Sequence, residues 1–118
     1  MPLLEIKEKI QLSEKKYSRV EGSTTLIAVS KKQPLLKVEE VLNSGHLDFG
    51  ENRIQEAQGK WPEFKSRYDN VNLHIIGPLQ TNKARAAMEL ANSIHTLDRL
   101  KLAITLARLA QELGSCPQ

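Results

Sequence analysis

"LIAVSKKQPLLKVEEVLNSGHLDFG", Leu26–Gly50, reads as a short strand, a loop, a helix and a second short strand. The run "LIAVS" from Leu26 is apolar and β-branched, and it stops at two adjacent lysines, Lys31 and Lys32. Lys37 to Ser44 carries Val38, Val41 and Leu42 at helical spacing and ends at Gly45, a usual residue just past a helix end. "LDFG" from Leu47 then starts the pattern again.

Working outward, two more strand candidates follow, "LHIIG" from Leu73 and "IHTLD" from Ile94, each with a helical pattern behind it. A helix is predicted near Arg53 to Lys60, with Pro62 breaking it or starting a fresh turn. Another follows Thr81 or Asn82 as N-cap through "KARAAMELA", and a last one follows Asp98 as N-cap and closes at Gly114. The strand starts at 26, 47, 73 and 94 lie about one strand plus one crossover helix apart, so the sheet is expected to be parallel. Residues 3–20 place Leu3, Ile6, Ile10, Tyr17 and Val20 near one face of a leading amphipathic helix. The domain reading is a single domain over 1–118: a leading helix in 1–22, four βα units in 23–114 and a tail at 115–118. Spacing alone fits both an open doubly wound sheet and part of a closed barrel, and a complete eight-unit barrel needs ~250 residues.

Composition narrows the function. The 118 residues are 40% hydrophobic, 26% charged and only 4% aromatic, which fits a soluble domain with an aliphatic core. The net charge of +3 is scattered, without a run of like charges, and does not favour nucleic acid. One cysteine, Cys116, allows no internal disulfide, and the charged N-terminal stretch fits neither a signal peptide nor a membrane span. The expected location is the cytoplasm. His46, His74, His95 and Cys116 lack metal-ligand spacing, so no metal site is expected. His95 reads as a packing or hydrogen-bonding residue, and Glu51 as a residue that shapes the site.

Both α/β architectures place chemistry where strands end and helices begin. Strand alternation puts Lys31 on the side of Ile27 and Val29, and Lys32 on the side of Ala28 and Ser30. A desolvated lysine can supply a neutral amine to a carbonyl and form a Schiff base, whereas most lysines at strand ends are solvated charges. "DFGENRIQE" (Asp48–Glu56) and "HIIGPLQTNK" (His74–Lys83) each put a glycine, polar side chains and a helix start at a strand end.

Taken together, "AVSK", "FGENRIQEA" and "HIIGPLQTNK" resemble the pyridoxal phosphate homeostasis protein family, whose fold is similar to the N-terminal barrel of alanine racemase. The resemblance runs from the first helix to about Leu113. It implies the N-terminal half of a TIM-type (β/α)8 barrel that binds pyridoxal 5′-phosphate (PLP), with Lys31 holding PLP as an internal aldimine. It also implies that Asn52 and His74 line the cofactor cavity. Lys32 stands where threonine is common in the family, and Leu73 where a bulky aromatic is common. Family members are about twice as long, and the chain ends near the expected start of a fifth strand. The phosphate-binding loops after strands seven and eight, and the arginine facing the pyridine nitrogen, would lie beyond it. The expected role is intracellular PLP homeostasis without a defined reaction, with PLP-dependent apoenzymes as partners. The alternatives are a truncated remnant unable to hold PLP, or a PLP-dependent amino-acid racemase. Cutting a barrel after four units exposes strand edges, so self-association is expected.

Overall fold

The computed structural model describes residues 2–118. Helix α1 (Pro2–Lys16) precedes four parallel strands, β1 (Ala28–Val29), β2 (Asp48–Glu51), β3 (Asn72–Ile75) and β4 (Ser93–Ile94). Between and after them lie α2 (Leu35–Asn43), α3 (Ile54–Gln58), α4 (Trp61–Arg67), α5 (Ala84–Leu90) and α6 (Leu100–Leu113). The strands pair in the order β1-β2-β3-β4. A doubly wound sheet reverses its order at a switch point, and this one does not, so the topology is that of a barrel wall.

The register sorts side chains onto two faces. Val29, Gly50, His74 and Ser93 are aligned across the sheet, so their side chains share one face. Phe49, Leu73 and Ile75 point the other way and are fully buried with Trp61, Ala84, Ala87 and Leu102 from the helices. An aromatic chain ties this layer together: Phe49 lies 5.0 Å from Trp61, and Trp61 lies 5.4 Å from Phe64 in an edge-on arrangement. Pro62 starts α4 at its first turn, where a missing N–H costs nothing, so the second crossover contains two short helices.

Several ends differ from expectation. α1 stops at Lys16 because Ser18 adopts a left-handed conformation with φ 55°. The Arg19 N–H then bonds the Glu14 carbonyl and the Ser18 N–H bonds that of Lys15, a Schellman end built without glycine. Thr81 and Asn82 lie in a 3-10 turn, Thr81–Lys83, and do not cap α5. Arg99, with extended backbone, takes the N-cap position of α6, and the Asp98 carboxylate pairs with the Arg99 side chain instead. Gly114 closes α6 with φ 72°, as expected of glycine there. The tail also pairs: Gln118 N–H donates to the Asn92 carbonyl and Ile94 N–H to that of Gln118. This is the parallel pattern of a strand opposite Ser93, at the place where the sequence suggested a fifth strand.

α1 is held by a polar anchor. The buried Glu14 carboxylate accepts from the Gly22 and Thr24 N–H groups at 3.2 and 2.8 Å, and these bonds hold its pKa below the ordinary value. Of the expected stripe, Ile6, Tyr17 and Val20 stay exposed and Leu3 and Ile10 are half-buried, so the helix does not bury its apolar face as its pattern suggested.

His46 is buried at the base of β2, with its Nε2 2.7 Å from the Asp48 carbonyl. Burial, aided by the nearby Lys7 charge, pushes its pKa below the ordinary 6.5, while Asp48 opposes the shift. The unfolded state therefore binds more protons just below 6.5, and stability is lost as pH falls through that window. The melting temperature is expected to drop from about pH 7 to about pH 5, with the slope reduced in His46→Phe. Equal slopes in both proteins would remove His46 as the cause.

Candidate functional site

The candidate site lies at the C-terminal ends of the strands. β1 is extended only as far as its ladder with β2 continues, through the Ser30 N–H to the Gly50 carbonyl. The chain then turns: the Gln33 N–H bonds the Ser30 carbonyl at 3.2 Å, and Lys32 has φ 56°. Pro34 follows, and α2 begins at Leu35. Lys31 is therefore a turn residue, and strand alternation stops at Ser30, which is buried toward the helices while Val29 stays open. The Lys31 side chain is exposed.

The turn is fastened to a buried ionic cluster. Lys60, between α3 and α4, has its side chain 6% exposed and puts Nζ 2.9 Å from Glu51 Oε2, 3.2 Å from Glu56 Oε2 and 2.6 Å from the Ser30 carbonyl. The ammonium donates to the Ser30 carbonyl and to Glu56, and it forms an ion pair with Glu51. Glu51 Oε2 also accepts from Ser30 Oγ at 2.5 Å and from Trp61 Nε1 at 2.9 Å. Glu56 accepts the Lys32 main-chain N–H at 2.5 Å, and that bond is the main reason its carboxyl is held below the ordinary value.

Asn52 follows β2 and is half-buried. A side chain at Gly77 would place its Cβ 2.7 Å from the Asn52 carbonyl oxygen, so only glycine lets the loop after β3 pass this close. Asn52, Arg53, Gln55, Gln80 and Lys83 line a cavity of about 560 Å³ between these two loops.

His74 lies within β3, with Nε2 2.9 Å from Asp48 Oδ1 and Nδ1 2.9 Å from His95 Nε2. A carboxylate can only accept, so His74 donates from Nε2, and a neutral His74 accepts at Nδ1 from His95. His95 is thus the hydrogen-bonding residue its sequence context suggested.

The register brings the three sequence-selected residues to one end of the sheet, with Lys31 and Asn52 each two residues past the aligned pair Val29 and Gly50. His74 is aligned with Gly50, one layer lower. Among the described residues, no hydrogen bond joins Lys31, Asn52 and His74 to one another. Sequence reasoning missed Ser30, Glu56, Lys60 and Trp61. The available signal was the i,i+4 pair Glu56–Lys60, which looks like an ordinary surface pair until Glu51 is seen beneath it. Among the described residues, no group of three His, Cys, Asp or Glu side chains could hold a metal ion.

Four parallel βα units with a lysine turn after β1 make this the N-terminal half of a TIM-type barrel, with its candidate site at the C-terminal mouth. The chain matches the N-terminal half of pyridoxal phosphate homeostasis proteins. One from Synechocystis sp. is 43% identical over 96 residues, covering 81% of this chain and 44% of the relative. That of Escherichia coli strain K12 is 36% identical over 105 residues, covering 88% and 45%. PipY of Synechococcus elongatus, solved with PLP bound, is 41% identical, with a TM-score of 0.75 over 92% of this chain and 50% of PipY. A protein of unknown function from Bifidobacterium adolescentis, at 25% identity, has a TM-score of 0.80 and shares the fold. The chain therefore spans about half the length of its curated relatives. No protein-family model matches it. Among the described residues, no helix is long and apolar enough to cross a membrane.

Proposed function

We propose that this half-barrel binds PLP through Lys31 and serves intracellular PLP homeostasis. The observation that carries the reading is the placement of Lys31: an exposed amine in a turn whose flanking residues, Ser30 and Lys32, are both tied to the cluster around Lys60. The same fold half in PipY belongs to a protein solved with PLP bound, which supports the choice of ligand.

The residues present fit the carbonyl end of such a cofactor. Lys31 would hold the cofactor by its Nζ at the aldehyde carbon, with the carbonyl oxygen lost as water. When bound, PLP supplies an electrophilic carbon conjugated to an electron-withdrawing ring. Asn52 offers an amide at the same strand ends, and Asp48 orients the His74 ring through Nε2. A homeostasis role is what the names of the curated relatives state, and PLP-dependent apoenzymes are the recipients in this reading. The test is an absorbance titration of the 118-residue chain with PLP, followed by borohydride reduction and peptide mapping. A band whose reduced adduct maps to Lys31 supports the reading, while adducts spread over surface lysines would make the chain a remnant that cannot hold PLP.

We further infer that the chain self-associates as copies of itself. Val29 is 46% exposed on the open sheet face, and α1 and α6 leave Leu4, Leu12, Leu100 and Ile104 uncovered. Among the described residues, β1 pairs only with β2. Light scattering is expected to give a mass above one chain, rising with concentration; a constant monomer mass would sink this inference.

A further inference from the structure

We propose that Lys60 and Glu56 are positioning residues for Lys31, acting through the main chain on either side of it. The inference deepens the reading of Lys31 as the PLP lysine and rests on it. Lys60 Nζ holds the Ser30 carbonyl, and Glu56 holds the Lys32 N–H. Lys31 is the residue between these two anchors, and its side chain is left exposed.

Stability does not explain the arrangement. Glu51 is fully buried and Lys60 nearly so, and a buried ion pair is often no more stabilising than an apolar pair of the same volume. What the ion pair supplies, and an apolar pair would not, is direction. One ammonium joins a carboxylate from β2, a carboxylate from α3 and a carbonyl from the end of β1. The same Glu56 oxygen then receives the Lys32 N–H, so the turn and the Lys60 ammonium share one acceptor on α3. Lys32 sits at φ 56°, a conformation uncommon for a side-chain-bearing residue, and the Glu56 bond is what the structure offers to hold it there.

The test uses the full chain and compares wild type with Glu56→Ala, Glu56→Gln and Lys60→Met. Glu56 is 29% exposed, so its variants leave the core intact even if Lys60→Met does not fold. Three quantities are read: amide deuterium exchange of the peptide spanning Ser30–Gln33, the PLP concentration for half-maximal borohydride trapping on Lys31, and the melting temperature. Glu56→Ala is expected to raise both exchange at Lys32 and the half-maximal PLP concentration about tenfold, as loss of a hydrogen bond to a charged acceptor implies. Glu56→Gln keeps an acceptor for the Lys32 N–H and should restore most of both. Faster exchange in Glu56→Ala with unchanged trapping on Lys31 would overturn the proposal, as would unchanged exchange. If wild-type chain shows no trapping on Lys31 at any PLP concentration, the reading of Lys31 itself fails and takes this one with it. Protected Lys32 exchange in that sample would identify the failure as one of the lysine and not of the tether.

Discussion

Replacing Lys31 by alanine is expected to eliminate the reducible PLP band, leaving only weak adducts distributed over surface lysines. The effect is all-or-none at this position because the variant has no amine to form the carbon–nitrogen bond. The backbone should not move: Lys31 is exposed, and the bonds that fix the turn come from Ser30, Lys32 and Gln33. Lys32→Ala is the informative control. It removes the neighbouring amine but keeps the main-chain N–H that Glu56 accepts, so trapping on Lys31 should persist. Loss of the band in Lys32→Ala with retention in Lys31→Ala would reassign the site to Lys32.

The second large effect concerns stability. Trp61 is fully buried, packs on Phe49 and Phe64, and donates its indole N–H to Glu51. Trp61→Ala is expected to cost about 3–5 kcal/mol from lost packing and the cavity left behind. Domains of this kind are stable by only about 5–15 kcal/mol, so the variant should lose a large share of its stability and unfold at a much lower denaturant concentration. Part of the loss is electrostatic, because Glu51 Oε1 already has no partner among the described residues and Oε2 would lose one of its donors. Trp61→Phe separates the two contributions, keeping most of the packing while losing the N–H, at a cost of about 1–3 kcal/mol. Denaturant unfolding followed by circular dichroism checks both. A Trp61→Ala midpoint close to that of the wild type would show that the aromatic layer is not central to stability.

Much of the fold was legible because apolar periodicity and glycine positions carry it. The four strands and the helices behind them lie where the apolar runs placed them, and Gly45 and Gly114 mark helix ends in left-handed conformations. Capping was less legible. Asp98 is a good N-cap residue by type, but Arg99 occupies the extended position before α6, and one residue of offset is enough to give the carboxylate a different partner. The end of α1 at Ser18 carries no glycine signal, since it is made by main-chain bonds to Glu14 and Lys15. Lys31, Asn52 and His74 were selected by their motifs, and the register then placed them at one end of the sheet. The cluster beneath Lys31 was only partly legible: Glu56 and Lys60 show as an i,i+4 pair, but Glu51 and the Ser30 carbonyl join them only in the folded chain, and no local spacing reports that.

The anchored turn also bears on conformational entropy. Ordering one residue's backbone costs about 1–2 kcal/mol, and immobilising a lysine side chain costs up to about 2 kcal/mol more. With Ser30 and Lys32 already held, the backbone share at Lys31 is largely met when the protein folds. Capture of an aldehyde then has only the rotamers of one side chain left to freeze, so a carbonyl compound meets a lysine here that is closer to its final shape than a lysine on a loose loop would be.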